Sequence, residues 1–289
     1  MERRVIATTF EYVAPPGLED LDRLMSQESV TVLGGGTWVI PEMTAGLRSP
    51  GTVADLRLLG LNTLEIGGEA LRVGSMVTYA QLLRAAGTLT GSAQLLPTMA
   101  SGITGGSQIR NAGTIGGSAC YASPSSDVPA VLVALNAVMH VRGPRGLRDL
   151  TAEAFFVDAF TSALERDEVL EGITIPVSQR DLRVGYKKFK LSESSYPIAT
   201  AACLIDQEAD GTVASARVVV GAVCPTPQVI PVDDLLVGQQ VAGALGAIAD
   251  RVQDVCSEPY EDVLASAEYR RKISGVIAKR ALLAAGVVT

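Results

Sequence analysis

The sequence is short of aromatics: five Phe, seven Tyr and one Trp make up 4% of its 289 residues. So thin a supply of rings argues against an aromatic-rich β-sandwich and favours layers packed closely through small side chains. Histidine is scarcer still, with a single residue, His140. The four cysteines, Cys120, Cys203, Cys224 and Cys256, lie far apart and form no C-x-x-C pair, which excludes zinc or iron–sulfur ligation by spacing. With no thiolate cluster, no metal-ligand set and one histidine, the chain cannot itself activate water. A formal charge of −7 argues against a nucleic-acid partner. No apolar run reaches the roughly 18–20 residues of a membrane span. The nearest, VPAVLVALNAVMHV, is broken by Asn136 and His140 and reads as a buried helix running into a strand. The opening MERRVIATTFEYVAPP lacks the apolar centre of a signal peptide. A soluble, cytoplasmic protein with reduced thiols is therefore expected. Internal repeats and low-complexity linkers are absent too.

What the chain does have is glycine in two telling places. Residues 105–127, GGSQIRNAGTIGGSACYASPSSD, combine glycine, small hydroxyl residues and one acid without a core pattern. Residues 31–41, TVLGGGTWVIP, answer them. Both place consecutive glycines after apolar or β-branched residues, where a backbone without Cβ can approach a ligand and offer N–H groups to phosphate oxygens. Two such loops suggest one diphosphate held from two sides. The pair Gly67 and Gly68 is, by contrast, a plain hairpin turn.

In chain order, a strand around Phe10 to Tyr12, a helix from Gly17 to Ser26 with Leu18, Leu21 and Leu24 on one side, and a strand from Thr31 to Leu33 form a β-α-β unit. Val53 to Leu56 read as the next strand. The G-x-G-x-x-G dinucleotide fingerprint fails at Gly34 to Val39, because its third glycine is Val39 and Pro41 interrupts the phosphate-binding helix. A hairpin over Leu64 to Val73 follows, then a helix from Thr78 to Ala86 capped by Thr78. Residues 97–113 read as small and polar, leading into a TIGG turn. Ser126 to Leu135 has helix character, Ala137 to Arg142 and Glu168 to Ile175 strand character. Asp181 to Lys190, Ala199 to Ile205 and Val213 to Val220 read as three antiparallel strands. Helices over Val241 to Val255 and Ala265 to Ala285 close the chain, the second with its basic residues on a solvated face. His140 reads as a core or edge residue, and Cys120 as a small packed one.

QIRNAGTIGGSACYASPSSDVPAVLVAL at 108–135 resembles the Q-I-R-N-x-G-T-I-G-G-N run of the FAD-binding medium subunits of molybdenum-containing hydroxylases, the family of xanthine, carbon monoxide and nicotinate dehydrogenases. The resemblance continues in LGGGTWVIP at 33–41, EVLEGITIP at 168–176, YKKFKLSESSYPIATAACLI at 186–205 and VVVGAVCPTPQVIP at 218–231. It implies an α+β fold of PCMH, or CO dehydrogenase flavoprotein, type. Its expected units are an N-terminal FAD-binding subdomain at 1–56, a second at 57–176, and a three-stranded antiparallel sheet with helices at 177–289.

The same resemblance implies that Val32, Leu33, Gly34, Gly35, Gly36, Thr37 and Trp38 wrap the FAD pyrophosphate from one side. Thr114, Gly116, Gly117 and Ser118 would do so from the other. Ile109 and Gly113 would contact the flavin end, Cys120 the adenosine side, and Leu170 the adenine. Lys190 would approach the flavin ring. Asp127 would accept hydrogen bonds from a hydroxyl or an amine. Two departures stand out: LGGGTW puts Gly36 where relatives carry a side-chain donor and an indole at Trp38, and LSESSYPIA lacks the basic pair and acid of many relatives. Tyr196 would lie against the flavin face or pack in the core, while Glu193 reads as surface.

As implied function, the chain is an electron-transfer subunit: a molybdenum-cofactor large subunit oxidises substrate, an iron–sulfur small subunit passes electrons on, and FAD discharges them to NAD or another acceptor. A dimer of heterotrimers is the expected assembly. Two alternatives stay open, a stand-alone FAD-dependent oxidase or reductase of vanillyl-alcohol-oxidase type, and a non-catalytic nucleotide-binding assembly protein.

Overall fold

The computed structural model describes residue 6 and residues 8–177 and 182–286. Strand β1 (Glu11–Val13), helix α1 (Leu18–Met25), β2 (Val30–Leu33), α2 (Val39–Thr44) and β3 (Thr52–Asp55) form the first layer. Its strands run parallel in the order β1-β3-β2, so each crossover needs a helix. Leu21, Leu24 and Met25 are the buried stripe of α1, while Glu19 and Asp20 open it and Arg23 closes it in the sense its dipole favours. Pro41 does not interrupt, as the fingerprint test assumed. It stands in the first turn of α2, where its missing N–H would have no intrahelical acceptor anyway.

The second layer is a five-stranded antiparallel sheet, β4 (Leu64–Ile66), β5 (Ala70–Gly74), β6 (Val138–Gly143), β7 (Gly146–Thr151) and β10 (Val169–Pro176), in the order β4-β5-β10-β6-β7. A hairpin of β8 (Phe156–Asp158) and β9 (Thr161–Ser162) stands apart from it. Between β5 and β6 come α3 (Tyr79–Arg84), α4 (Leu95–Ser101), α5 (Gly106–Ala112), α6 (Ile115–Tyr121) and α7 (Val128–Ala134), and α8 (Ala152–Phe155) follows β7. Thr78 caps α3, as expected, and the structure adds a capping box with Gln81. Two expectations are corrected here. Residues 97–113 hold most of α4 and all of α5, and the TIGG "turn" is the first turn of α6, whose N-cap is Thr114.

The C-terminal sheet has four antiparallel strands rather than three: β11 (Arg183–Phe189), β12 (Ala199–Gln207), β13 (Val213–Gly221) and a short edge strand β14 (Gln228–Ile230). Asp181, the expected start of β11, lies outside the described residues. Strand β12 is apolar on both faces because both are covered. Ala199, Ala201, Cys203 and Ile205 pack with helices α10 (Val241–Val255) and α11 (Ala267–Ala284), while Ala202 joins the central core around α7. A short α9 (Asp233–Leu236) precedes α10. The solvated face expected of the last helix holds for Arg271, Lys272 and Arg280, but Arg270 is fully buried. No described helix is long and apolar enough to cross a membrane.

Candidate functional site

The three layers leave one large cavity of about 580 Å³, walled by the end of β2 and the loop after it, by α5 and α6, by Ser123 to Asp127, and by the approach to β10. Topology brings the two glycine segments together there. A Cβ built on Gly35 would stand 1.7 Å from the carbonyl oxygen of Ala112, and one on Gly34 would stand 3.4 Å from Thr114 Oγ1. Glycine at 35 is thus required by backbone meeting backbone. Gly36 is required by its left-handed φ of +69°.

The two segments do not offer the same chemistry. In the early loop the N–H groups of Gly35, Gly36, Thr37 and Trp38 donate to no acceptor among the described residues. In the later segment the expected free N–H groups are already used. Ile115 donates to Val77 O at 2.9 Å, Gly116 to Ser75 O at 3.0 Å and Ser118 to Thr114 O at 3.1 Å. Gly117 donates to Thr114 Oγ1 at 3.0 Å. The cause is local: Thr114 caps α6, and the turn after β5 takes the next donors. What this wall presents instead is hydroxyls. Thr114 and Ser118 face the cavity, Ser118 is bonded to Tyr79 OH, and the buried Ser75 Oγ has no partner. Gly116 likewise serves packing, since a Cβ there would meet Ser75 O at 2.5 Å.

Asp127, 5% exposed, ends the later segment. Its carboxylate accepts from Lys188 Nζ at 2.9 and 3.0 Å and from the Tyr186 hydroxyl. Burial, with the Asp127 charge added, pushes the Tyr186 phenol well above its ordinary value, so it stays protonated and donates. Lys188, on the face of β11 that carries Tyr186, stands behind Asp127 and does not itself line the cavity. Lys190 lies past the strand end and donates to Glu193 O at 2.8 Å and to its carboxylate at 3.3 Å. The Glu193 side chain is fully exposed.

Of the residues singled out in the sequence, Val32, Gly34, Gly35, Gly36, Thr37, Trp38, Ile109, Thr114, Gly116, Gly117, Ser118, Cys120, Asp127, Leu170 and Tyr196 all line the cavity. Leu33, Gly113 and Lys190 do not. Leu33 packs with Met43 and Val53, and the space beside Gly113 is filled by Ile109 O and the Tyr79 ring. Burial pushes the Cys120 thiol up to about 12, leaving it neutral near pH 7. The Trp38 ring centroid lies 4.5 Å from that of Tyr121 and 6.1 Å from that of Tyr196. Tyr196 is 48% exposed at the rim and not in the core. Trp38 is oriented by Nε1 donating to Glu42 Oε1 at 2.9 Å, and Arg48 holds the other oxygen at 2.7 Å. His140 lies elsewhere, between Asp149 and Thr174 on the five-stranded sheet.

The sequence reading passed over Ser75, Tyr79, Arg48, Tyr121, Arg166 and Lys188. Tyr121 and Lys188 stand inside matched motifs and could have been found there. Ser75 and Tyr79 flank an ordinary helix cap, and long-range bonds from residues 113–118 to this segment put them at the site.

A parallel β-α-β layer and a five-stranded sheet that together close on a glycine-walled cavity define a nucleotide-cofactor-binding protein. Residues 8–178 match the family of the FAD binding domain in molybdopterin dehydrogenase, and residues 185–285 the CO dehydrogenase flavoprotein C-terminal domain. The chain is 31% identical to the nicotine 6-hydroxylase medium subunit of Paenarthrobacter nicotinovorans, over 96% of this chain and 98% of that one. It is 30% identical to the carbon monoxide dehydrogenase medium chain of Afipia carboxidovorans, over 96% and 97%. Among solved structures, reconstituted CO dehydrogenase from Oligotropha carboxidovorans superposes with a TM-score of 0.91 at 29% identity, over 97% of this chain and 99% of that one. The chain belongs to the family of FAD-binding medium subunits of molybdenum hydroxylases.

Proposed function

We propose that the cavity holds FAD, and that the chain is the electron-transfer subunit of a heteromeric molybdenum hydroxylase, placed between iron–sulfur clusters on one partner subunit and a terminal acceptor. One observation carries this reading: two glycine segments far apart in sequence wall a single cavity, and one presents a run of N–H groups without acceptors. The cavity volume falls in the range of cofactor sites.

In this reading Gly35, Gly36, Thr37 and Trp38 hold the diphosphate through their N–H groups, and Thr114 and Ser118 do so through hydroxyls. Ser75 Oγ, buried without a partner, has a place for a polar group of the cofactor. Ile109 and Tyr196 border the ring end, while Cys120 and Leu170 border the adenosine end. Asp127 receives a hydroxyl, its own charge being balanced by Lys188 so that it does not repel the diphosphate. When bound, FAD supplies the exchange of one or two electrons; the residues here bind, orient and exclude water. Relatives named as medium subunits imply partner chains, proposed as a molybdenum-binding large subunit and an iron–sulfur small subunit. The four free thiols fit a reducing, cytoplasmic setting.

The test is purification of the tagged chain from its own host. A yellow complex with larger and smaller partners, carrying molybdenum and iron, is expected. A chain that copurifies with neither metal, or that takes up no flavin, overturns the proposal.

A further inference from the structure

The loop at 257–266, between α10 and α11, belongs to the C-terminal unit yet reaches the cavity wall. Its Tyr260 hydroxyl is 2.7 Å from the Oγ of Ser125, and Ser125 lines the cavity. Tyr260 is itself held from two directions. Its N–H donates to Val223 O at 3.0 Å, and the Arg270 guanidinium lies 4.0 Å from its ring centroid.

Arg270 is completely buried and serves as the hub. One terminal nitrogen donates to Ile198 O and to Ala222 O, each at 2.8 Å, and the other to Asp262 Oδ1 at 2.6 Å. Asp262 in turn accepts from the N–H groups of Leu264 and Ala265, fixing the loop. Ile198 stands two residues beyond Tyr196 at the cavity rim. A single cation thus holds the chain just past the rim and, through Tyr260, reaches the serine-rich segment that also lines the cavity. A cation fully removed from water is tolerated because carbonyls, a carboxylate and a ring surround it.

We infer that Tyr260 is a positioning residue for the cofactor cavity: through Ser125 it fixes the segment 122–127, and so sets how tightly the cavity keeps its dinucleotide. This rests on the reading of the cavity as an FAD site. The hydroxyl needs only to hold Ser125 in place; it makes no contact with the reacting ring.

The experiment uses the full chain and the variants Tyr260→Phe, Ser125→Ala, Ser125→Thr and the double Tyr260→Phe/Ser125→Ala. Tyr260→Phe keeps the ring on Arg270, so folding is preserved. The dissociation constant for FAD, read by quenching of flavin fluorescence, should rise about five- to tenfold in each of the two single deletions, the effect of one lost hydrogen bond. The double variant should be no worse than either, because both remove the same bond. Ser125→Thr should restore wild-type binding. Amide hydrogen exchange of residues 122–127 in the flavin-free chain should quicken in Tyr260→Phe and stay unchanged in α10. FAD binding within twofold of wild type in Tyr260→Phe, or additive losses in the double variant, overturns the inference. Unchanged exchange at 122–127 overturns the tether itself. A wild-type chain that takes up no FAD removes the cofactor half along with the functional reading, while the exchange measurement still decides the tether.

Discussion

Gly35 rests directly on the carbonyl of Ala112, so close that the smallest side chain at 35 would overlap it, with 1.7 Å between Cβ and oxygen. The contact makes the two glycine segments one wall. Gly35→Ala must push them apart. The expected cost is on the order of 3 kcal/mol, as for overpacking in a tight core, together with loss of retained flavin. Urea midpoints and the absorbance of the desalted protein check both.

Gly116→Ala separates packing from ligand approach. Its Cβ would collide with Ser75, not with anything in the cavity, so the flavin-free chain itself should lose about 1–3 kcal/mol. Gly68→Ala is the control: nothing lies within 4 Å of its Cβ position, and stability should change by less than about 0.5 kcal/mol. Thermal melts of the flavin-free variants are the measurement.

Lys188→Met should be costly, because it leaves the Asp127 carboxylate buried with Tyr186 alone. Breaking a buried pair costs about 3–5 kcal/mol. Adding Asp127→Asn should recover much of that, since the stranded charge goes with it. Lys190→Met, whose partner Glu193 is fully solvated, should cost less than about 1 kcal/mol. Chemical denaturation of the three variants ranks them, and equal losses at 188 and 190 would contradict the assignment of Lys188 as the partner that the buried Asp127 depends on.

Glu168, beside the cavity, gives the chain a distinct acid limb. The hydrogen bonds from Arg148 hold its carboxyl below the ordinary value of 4.5, against the opposing effect of burial. A depressed acid contributes stability that is complete above its unfolded value and is lost as pH falls through the folded one. Arg148→Met removes the largest of the supports and leaves the Glu165 N–H and Arg145 to oppose burial, so the acid limb should begin at higher pH. Urea midpoints between pH 3 and 7 would register the move; an unmoved limb would count against the pairing.

Local signals were readable where local chemistry decides structure. The Thr78 cap and the span of α10 from Val241 to Val255 both follow from spacing alone. The glycine segments were readable as the walls of a shared cavity because small residues without a core period need another reason to be there. Other features had no local trace. Strand β14 is three residues between Pro227 and Pro231, too short for a period, and forms because β13 offers an open edge. Helix α5 carries Gly, Ser and Asn where a stripe of leucines would have announced it, and α4 is only seven residues long with Pro97 in its first turn. The use of the Ile115 and Gly116 N–H groups depends on Val77 and Ser75, some forty residues upstream. Arg270 looked like its solvated neighbours because burial of a cation is set by what surrounds it in space.

The early loop has one more consequence. Of the cations on the cavity wall, Arg48 is paired with the Glu42 carboxylate and Arg166 is turned to the Gln27 carbonyl, while Lys188 behind the wall is paired with Asp127. A phosphate held there as proposed would be gripped mainly by the oriented N–H dipoles of Gly35 to Trp38. Dissolved electrolyte weakens exposed point charges within a few ångströms, about 3 Å at 1 M, but scarcely touches enclosed dipoles. The yellow colour should therefore survive a molar sodium chloride wash and bleach only when urea begins to compete for the backbone itself.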